Sequence, residues 1–117
     1  MKWHQCNNID EMQAFYESIL PAVRQAAKYC GYAVGVHGTM RRDLDLIAVP
    51  WQQTHTSPDA LAVEIQKAAT GGIFAKSRQW EKKPCGRIAT SLAVCWIGWP
   101  DAVDGTGHID LSVMTAA

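Results

Sequence analysis

The stretch "DLDLIAVP", residues 43–50, constrains the fold more than any other part of this chain. Side chains alternate along a strand, so Leu44, Leu46 and Ala48 share one face and Asp43 and Asp45 share the other. Such a strand needs a sheet with one side covered by apolar partners and the other side open. Two carboxylates about 7 Å apart on the open side repel each other at neutral pH unless something positive sits between them. Arg41 and Arg42 stand just before the strand. A divalent cation answers the repulsion better, because hard cations such as magnesium take carboxylate oxygens. The solvated face of an edge strand is the other setting in which a D-x-D pair is found.

The covering layer is legible on either side of that strand. "IDEMQAFYESILPAVRQAAKYC" places Met12, Phe15, Ile19, Val23, Ala26 and Ala27 at helical spacing. Asn8 and Glu11 have the pattern of a capping box that opens this helix. Pro21 predicts a kink or a split into two helices, and Gly31 predicts the stop. A second helix is expected from Pro58 to about Ala69, with Ser57 as its N-cap, Leu61, Ile65 and Ala68 buried, and Gly71-Gly72 at its end. Strands are expected at 32–37, 43–50, 87–97 and 108–114, with "IFAKS" as a further candidate. "QWEKKPCG" reads as a polar loop, and "GWPDAVDGTG" as the turn that joins the last two strands in a hairpin. The order predicts an α/β (α+β) fold. It is a small mixed β-sheet of four to five strands with two main helices on one face.

At 117 residues, 48% hydrophobic and 19% charged, the chain is expected to form a single domain over 1–117 with a real core. Its formal net charge is zero, which excludes a broad nucleic-acid surface, since that needs a basic face to displace counterions. A small nucleotide needs only a local site and remains compatible. No segment reaches the ~18 apolar residues that span a bilayer, and "MKWHQCNNIDEM" lacks the apolar run of a signal peptide. None of Cys6, Cys30, Cys85 and Cys95 forms a C-x-x-C pair, so zinc is not expected. A cytoplasmic protein is expected, its cysteines reduced and buried as small hydrophobes.

"HIDLSVM" repeats the opening pattern, because Asp110 also interrupts an apolar strand. If that strand lies beside the Asp43–Asp45 strand, three carboxylates converge. They would form a cage for one or two metal ions, with a nucleotide phosphate completing the coordination.

A glycine followed by Ser or Thr, then Asp-h-Asp-h on a strand (h is apolar), then a later strand aspartate, resembles the nucleotidyltransferase superfamily related to DNA polymerase beta. The resemblance covers about residues 32–50 and the last strand. It implies that Gly38 and Thr39 contact the phosphates of a nucleoside triphosphate, and that Asp43, Asp45 and Asp110 hold magnesium and are catalytic. One metal then activates a hydroxyl and the other clamps the triphosphate. More narrowly, "RDLDLIAVPW" with "GRIATSL" and "HIDLSV" resembles a group of small bacteriophage-encoded proteins, which brings no activity with it. The chain departs from the superfamily in one respect. Only Met40, Arg41 and Arg42 separate Thr39 from Asp43, too few for the short helix whose N-terminus faces phosphate in that family. Here Gly38 lets backbone N–H groups approach an anion, and Arg41 and Arg42 offer forked hydrogen bonds to phosphate.

His37, at the end of its strand, is placed at the same mouth to contact phosphate or a base, or to make a local hydrogen bond. His108 shares a face with Asp110 and is either a ligand or a turn-flanking histidine. "KSRQWEKKPCGR" gathers Lys76, Arg78, Lys82, Lys83 and Arg87 around Trp80. That is a loop suited to stacking a base and holding phosphate, or a solvated loop with its tryptophan in the core. Arg87 is the nucleotide-binding candidate among these, since it opens the strand expected to pair with the Asp110 strand. Trp51, Trp96 and Trp99 are either core or, as an exposed pair, a stacking platform or the surface of a homo-oligomer.

Two function classes follow. One is a phage-type protein that binds a nucleotide with magnesium at the aspartates and transfers a nucleotidyl group to a hydroxyl. The other is a non-catalytic phage sponge that sequesters a host nucleotide signal of antiphage defence. A blander third reading is a structural or protein-interaction module.

Overall fold

A computed structural model describes residues 9–70, 79–96 and 105–115. The element order is α1 (Ile9–Tyr29), β1 (Tyr32–His37), β2 (Asp43–Pro50), α2 (Pro58–Thr70), β3 (Glu81–Lys83), β4 (Arg87–Trp96) and β5 (Gly105–Met114). The fold is a small mixed α+β arrangement of two helices and a five-stranded sheet in the order β1-β2-β5-β4-β3. β2 and β5 run parallel, and the other neighbours are antiparallel.

The alternation of β2 sorts the whole sheet. Leu44, Leu46 and Ala48 are fully buried, as are Ile109 and Leu111 of β5 and Leu92 of β4. They pack with Phe15, Tyr16, Ile19 and Val23 of α1 and with Leu61 and Ile65 of α2 in one core. The helices therefore cover one face, and the alternate residues of every strand point to the other. Gln66 is a polar side chain buried in the core among the described residues, and it donates to the Ala93 carbonyl at 2.7 Å, tying α2 to β4. No helix of the described residues is long and apolar enough to cross a membrane.

Three local expectations are corrected. Of the kink or split expected at Pro21, the split does not occur: α1 runs unbroken from Ile9 to Tyr29. Pro21 and Glu17 are both exposed, so the Glu17 carbonyl that loses its intrahelical donor faces water. The buried stripe on both sides of the proline holds the helix together. The polar loop "QWEKKPCG" contains a strand, β3, whose residues Glu81, Lys82 and Lys83 pair with Ala89, Ile88 and Arg87. The thiol of Cys85 is exposed and not buried. Cys85 sits in the β3–β4 turn with φ +67, beside Gly86 at φ +71, a left-handed turn that projects its side chain into solvent.

Two element ends follow their signals. Ser57 Oγ accepts from the Ala60 N–H at 3.2 Å and caps α2. Gly31 ends α1 at φ +91, where a Cβ would lie 2.8 Å from both the His55 Cβ and the Thr54 carbonyl oxygen. Only glycine lets that loop close, and the Trp51 N–H then donates to the Gly31 carbonyl. The Asn8 capping box, Gly71-Gly72, "IFAKS" and residues 97–104 of the last turn lie outside the described residues, as do Lys76 and Arg78.

Candidate functional site

Register brings the aspartates together. Asp45 of β2 stands opposite Asp110 of β5, and Asp43 stands opposite His108. All four side chains belong to the open face, because their neighbours Leu44, Leu46, Ile109 and Leu111 take the core face. His37 of β1 is paired with Asp45 from the other side. A row His37–Asp45–Asp110–Ser91 therefore crosses four adjacent strands.

The positive groups nearby do not offset the burial and mutual repulsion of the carboxylates. Burial, and after it the Asp110 carboxylate, raises the Asp43 carboxyl above the ordinary range, against the pull of His108 and Arg42. Burial and Asp110 raise Asp45 as well, with His37 pulling the other way and Asp43 adding to the rise. Asp110 is within hydrogen-bonding reach of both. Among the described residues no group of three His, Cys, Asp or Glu side chains is arranged ready to hold a metal ion. The donor set, three carboxylates on one face, is the oxygen chemistry a hard divalent cation takes, with His37, His108 and Arg42 the positive groups that act on it among the described residues.

The connection from β1 to β2 closes over this cluster. Gly38 has φ +79, and a Cβ there would stand 3.1 Å from Asp45 Oδ2. The missing side chain is thus what lets the loop lie against the carboxylate. Met40 also has a positive φ, +58, and its side chain packs against the core. That turn leaves Arg41 and Arg42 exposed. Thr39, Arg41, Arg42, Asp43 and Asp45 line a depression of about 370 Å³.

A second, larger cleft of about 680 Å³ runs from His37, Asp45 and Asp110 across Ser91, Ser112 and Ala89 to Glu81, Lys83 and Trp80. Arg87 is not among its walls. It lies on the same face but opposite Met114, roughly 13 Å along β4 from the Ser91 that partners Asp110. Its Nε donates to the Pro84 carbonyl at 3.3 Å. Trp80 packs against the core and donates from Nε1 to Asp59 Oδ1 at 2.8 Å.

Three contributors were not legible beforehand. Ser91 and Ser112 face the same side as Asp110, and their alternation with Leu92 and Leu111 was the available signal. Tyr16 is fully buried in α1. Its hydroxyl donates to the Arg42 carbonyl at 2.6 Å and accepts from the His108 N–H at 3.3 Å. It thereby ties the end of the arginine loop to the start of β5. The buried stripe expected for this helix, with Met12, Phe15, Ile19 and Val23, does not single out Tyr16, whose helical spacing from Met12 and Ile19 was the available signal. Compared with known proteins, the chain matches no family model, no curated protein and no solved structure.

Proposed function

We propose that the protein binds a nucleotide together with magnesium at Asp43, Asp45 and Asp110, in a nucleotidyltransferase-like site, and that it transfers a nucleotidyl group to a hydroxyl. The observation that carries this reading is the register of β2 and β5. It sets Asp45 directly against Asp110, with Asp43 one step along the same face, under a loop that presents Arg41, Arg42 and Thr39. Carboxyls raised by burial and by one another, beside exposed guanidinium groups, suit a ligand that brings both a cation and an anion.

Bound magnesium would supply charge neutralisation and polarisation of the phosphoryl oxygens. The chain's own residues do the rest. Arg41 and Arg42 grip the outer phosphates through forked hydrogen bonds. Gly38 admits the phosphate chain close to the backbone. Asp43, Asp45 and Asp110 would hold the cation, and Asp110 takes the proton of the acceptor hydroxyl. The hydroxyl oxygen bonds to the α-phosphorus, the bond from that phosphorus to the bridging oxygen breaks, and pyrophosphate leaves with its electron pair.

The test is thermal melting with and without magnesium, across nucleoside triphosphates and cyclic or linear signalling nucleotides. Ligand at a hundred times its dissociation constant adds ~2.7 kcal/mol, a shift of many degrees for a small domain. A magnesium-dependent shift with a triphosphate is the expected result. A metal-independent shift confined to a signalling nucleotide would replace the transferase with the phage sponge. No shift with any nucleotide would overturn both.

A further inference from the structure

The two depressions are separate in lining yet share Asp45. One carries arginines and is the smaller. The other is nearly twice as large and lies flat along the sheet. Its floor carries small residues, Ala89 and Ser91 of β4 and Ser112 of β5. Its far end holds the cation Lys83, paired to Glu81 at 3.2 Å. A floor of methyl and hydroxyl groups offers shallow hydrogen bonding without bulk, so an extended small molecule can lie on it.

The spacing of its ends sets the length of that molecule. Lys83 is in register with Arg87, four residues from Ser91, and two strands from β5. Its backbone is therefore roughly 16 Å from that of Asp110. Both residues line the cleft, and the ion pair holds the Lys83 ammonium at Glu81, which is two residues nearer Asp110 in register. What fits between is one phosphate and one sugar, with a base lying over the floor. Lysine binds phosphate as a point charge, and hydroxyls of a sugar match Ser91, Ser112 and a carboxylate.

We propose that the sheet-face cleft is a second ligand site, which takes a nucleoside monophosphate with its phosphate on Lys83 and a sugar hydroxyl at Asp110. It rests on the nucleotide reading of the aspartates and names the class of molecule that accepts the transferred group. The loop depression is left for the triphosphate, and the two ligands meet at Asp45. Glu81 competes with the phosphate for Lys83, which makes the pair a built-in weakener of the site.

The experiment is an amide chemical-shift titration without metal. AMP, CMP, GMP and UMP are added to the protein, each against its parent nucleoside. At least one monophosphate is expected to bind about tenfold more tightly than its nucleoside and to shift Ala89, Ser91 and Ser112. Lys83→Gln should abolish that preference and Glu81→Gln should increase it. These opposite signs at two exposed positions are not what a fold defect gives. Equal binding of monophosphate and nucleoside, no binding of either, or a preference that survives Lys83→Gln would overturn the proposal. The magnesium-dependent triphosphate shift is read on the same variants. If it is lacking in wild type while the monophosphate effects hold, the transferase reading fails and the second site stands.

Discussion

At the scale of single residues, the aspartates are explained by what they cost as well as by what they bind. Asp45 faces Asp110 directly across a parallel pair, and like charges so placed destabilise a sheet by about 0.2–1 kcal/mol. Asp45→Asn keeps the shape and a hydrogen-bond donor for Asp110 while removing one charge. In metal-free buffer at neutral pH it should therefore stabilise the fold by about 0.5 kcal/mol, read as a higher melting temperature. The gain should vanish below the ordinary carboxylate range, where wild-type Asp45 is itself protonated. The magnesium-dependent nucleotide shift should vanish at every pH. A loss of stability at neutral pH would mean that the carboxylate is structural. Alternation alone made this pair visible in the sequence, because an acid between Leu44 and Leu46 has only the open face to occupy. Arg87 shows the limit of that reasoning. Opening the right strand on the right face does not say which end of the partner strand it meets, and the antiparallel register carries it away from Asp110.

At the scale of elements, strands whose faces differ in polarity were legible and β3 was not. Glu81, Lys82 and Lys83 are all exposed, so they carry no alternation; pairing with β4 alone makes them a strand. Pro21 does not divide α1, because the local loss of one backbone donor yields to a stripe of burial running the length of the helix. That helix also reaches the site. Tyr16 joins the Arg42 carbonyl to the His108 amide, so α1 fixes the spacing between the loop and the start of β5. Tyr16→Phe preserves the buried ring and removes both bonds, leaving the carbonyl and the amide without that partner. It should cost about 1–2 kcal/mol, and amide exchange should quicken over residues 38–43 more than in α2. Uniform quickening across both helices would mean that Tyr16 is a packing residue with no special hold on the loop.

At the scale of the molecule, both helices lie on one side of the sheet, and Asp43, Asp45, Asp110 and His37 lie on the other, with Arg41 and Arg42 on the loop at its end. The core is thus insulated from the titration of the site, and stability against pH should report on the carboxylates. Asp43 and Asp45 have folded-state values above the unfolded ones. Between those values the folded chain binds more protons, so stability is complete at low pH and falls as pH rises through the folded values. A cation held by the same oxygens inverts that dependence. It binds only ionised carboxylates, so its stabilisation grows over the window in which the free site loses stability. Melting temperature plotted against pH from 4 to 8 should therefore contain a falling contribution from these groups in chelator and a rising one in millimolar magnesium. The variant with Asp43, Asp45 and Asp110 all changed to Asn provides the baseline for every other titrating group. Relative to that baseline, the two wild-type curves should meet at acid pH and diverge toward neutral. Parallel curves would mean that magnesium does not engage these carboxylates, and the open face would then have to be explained without it.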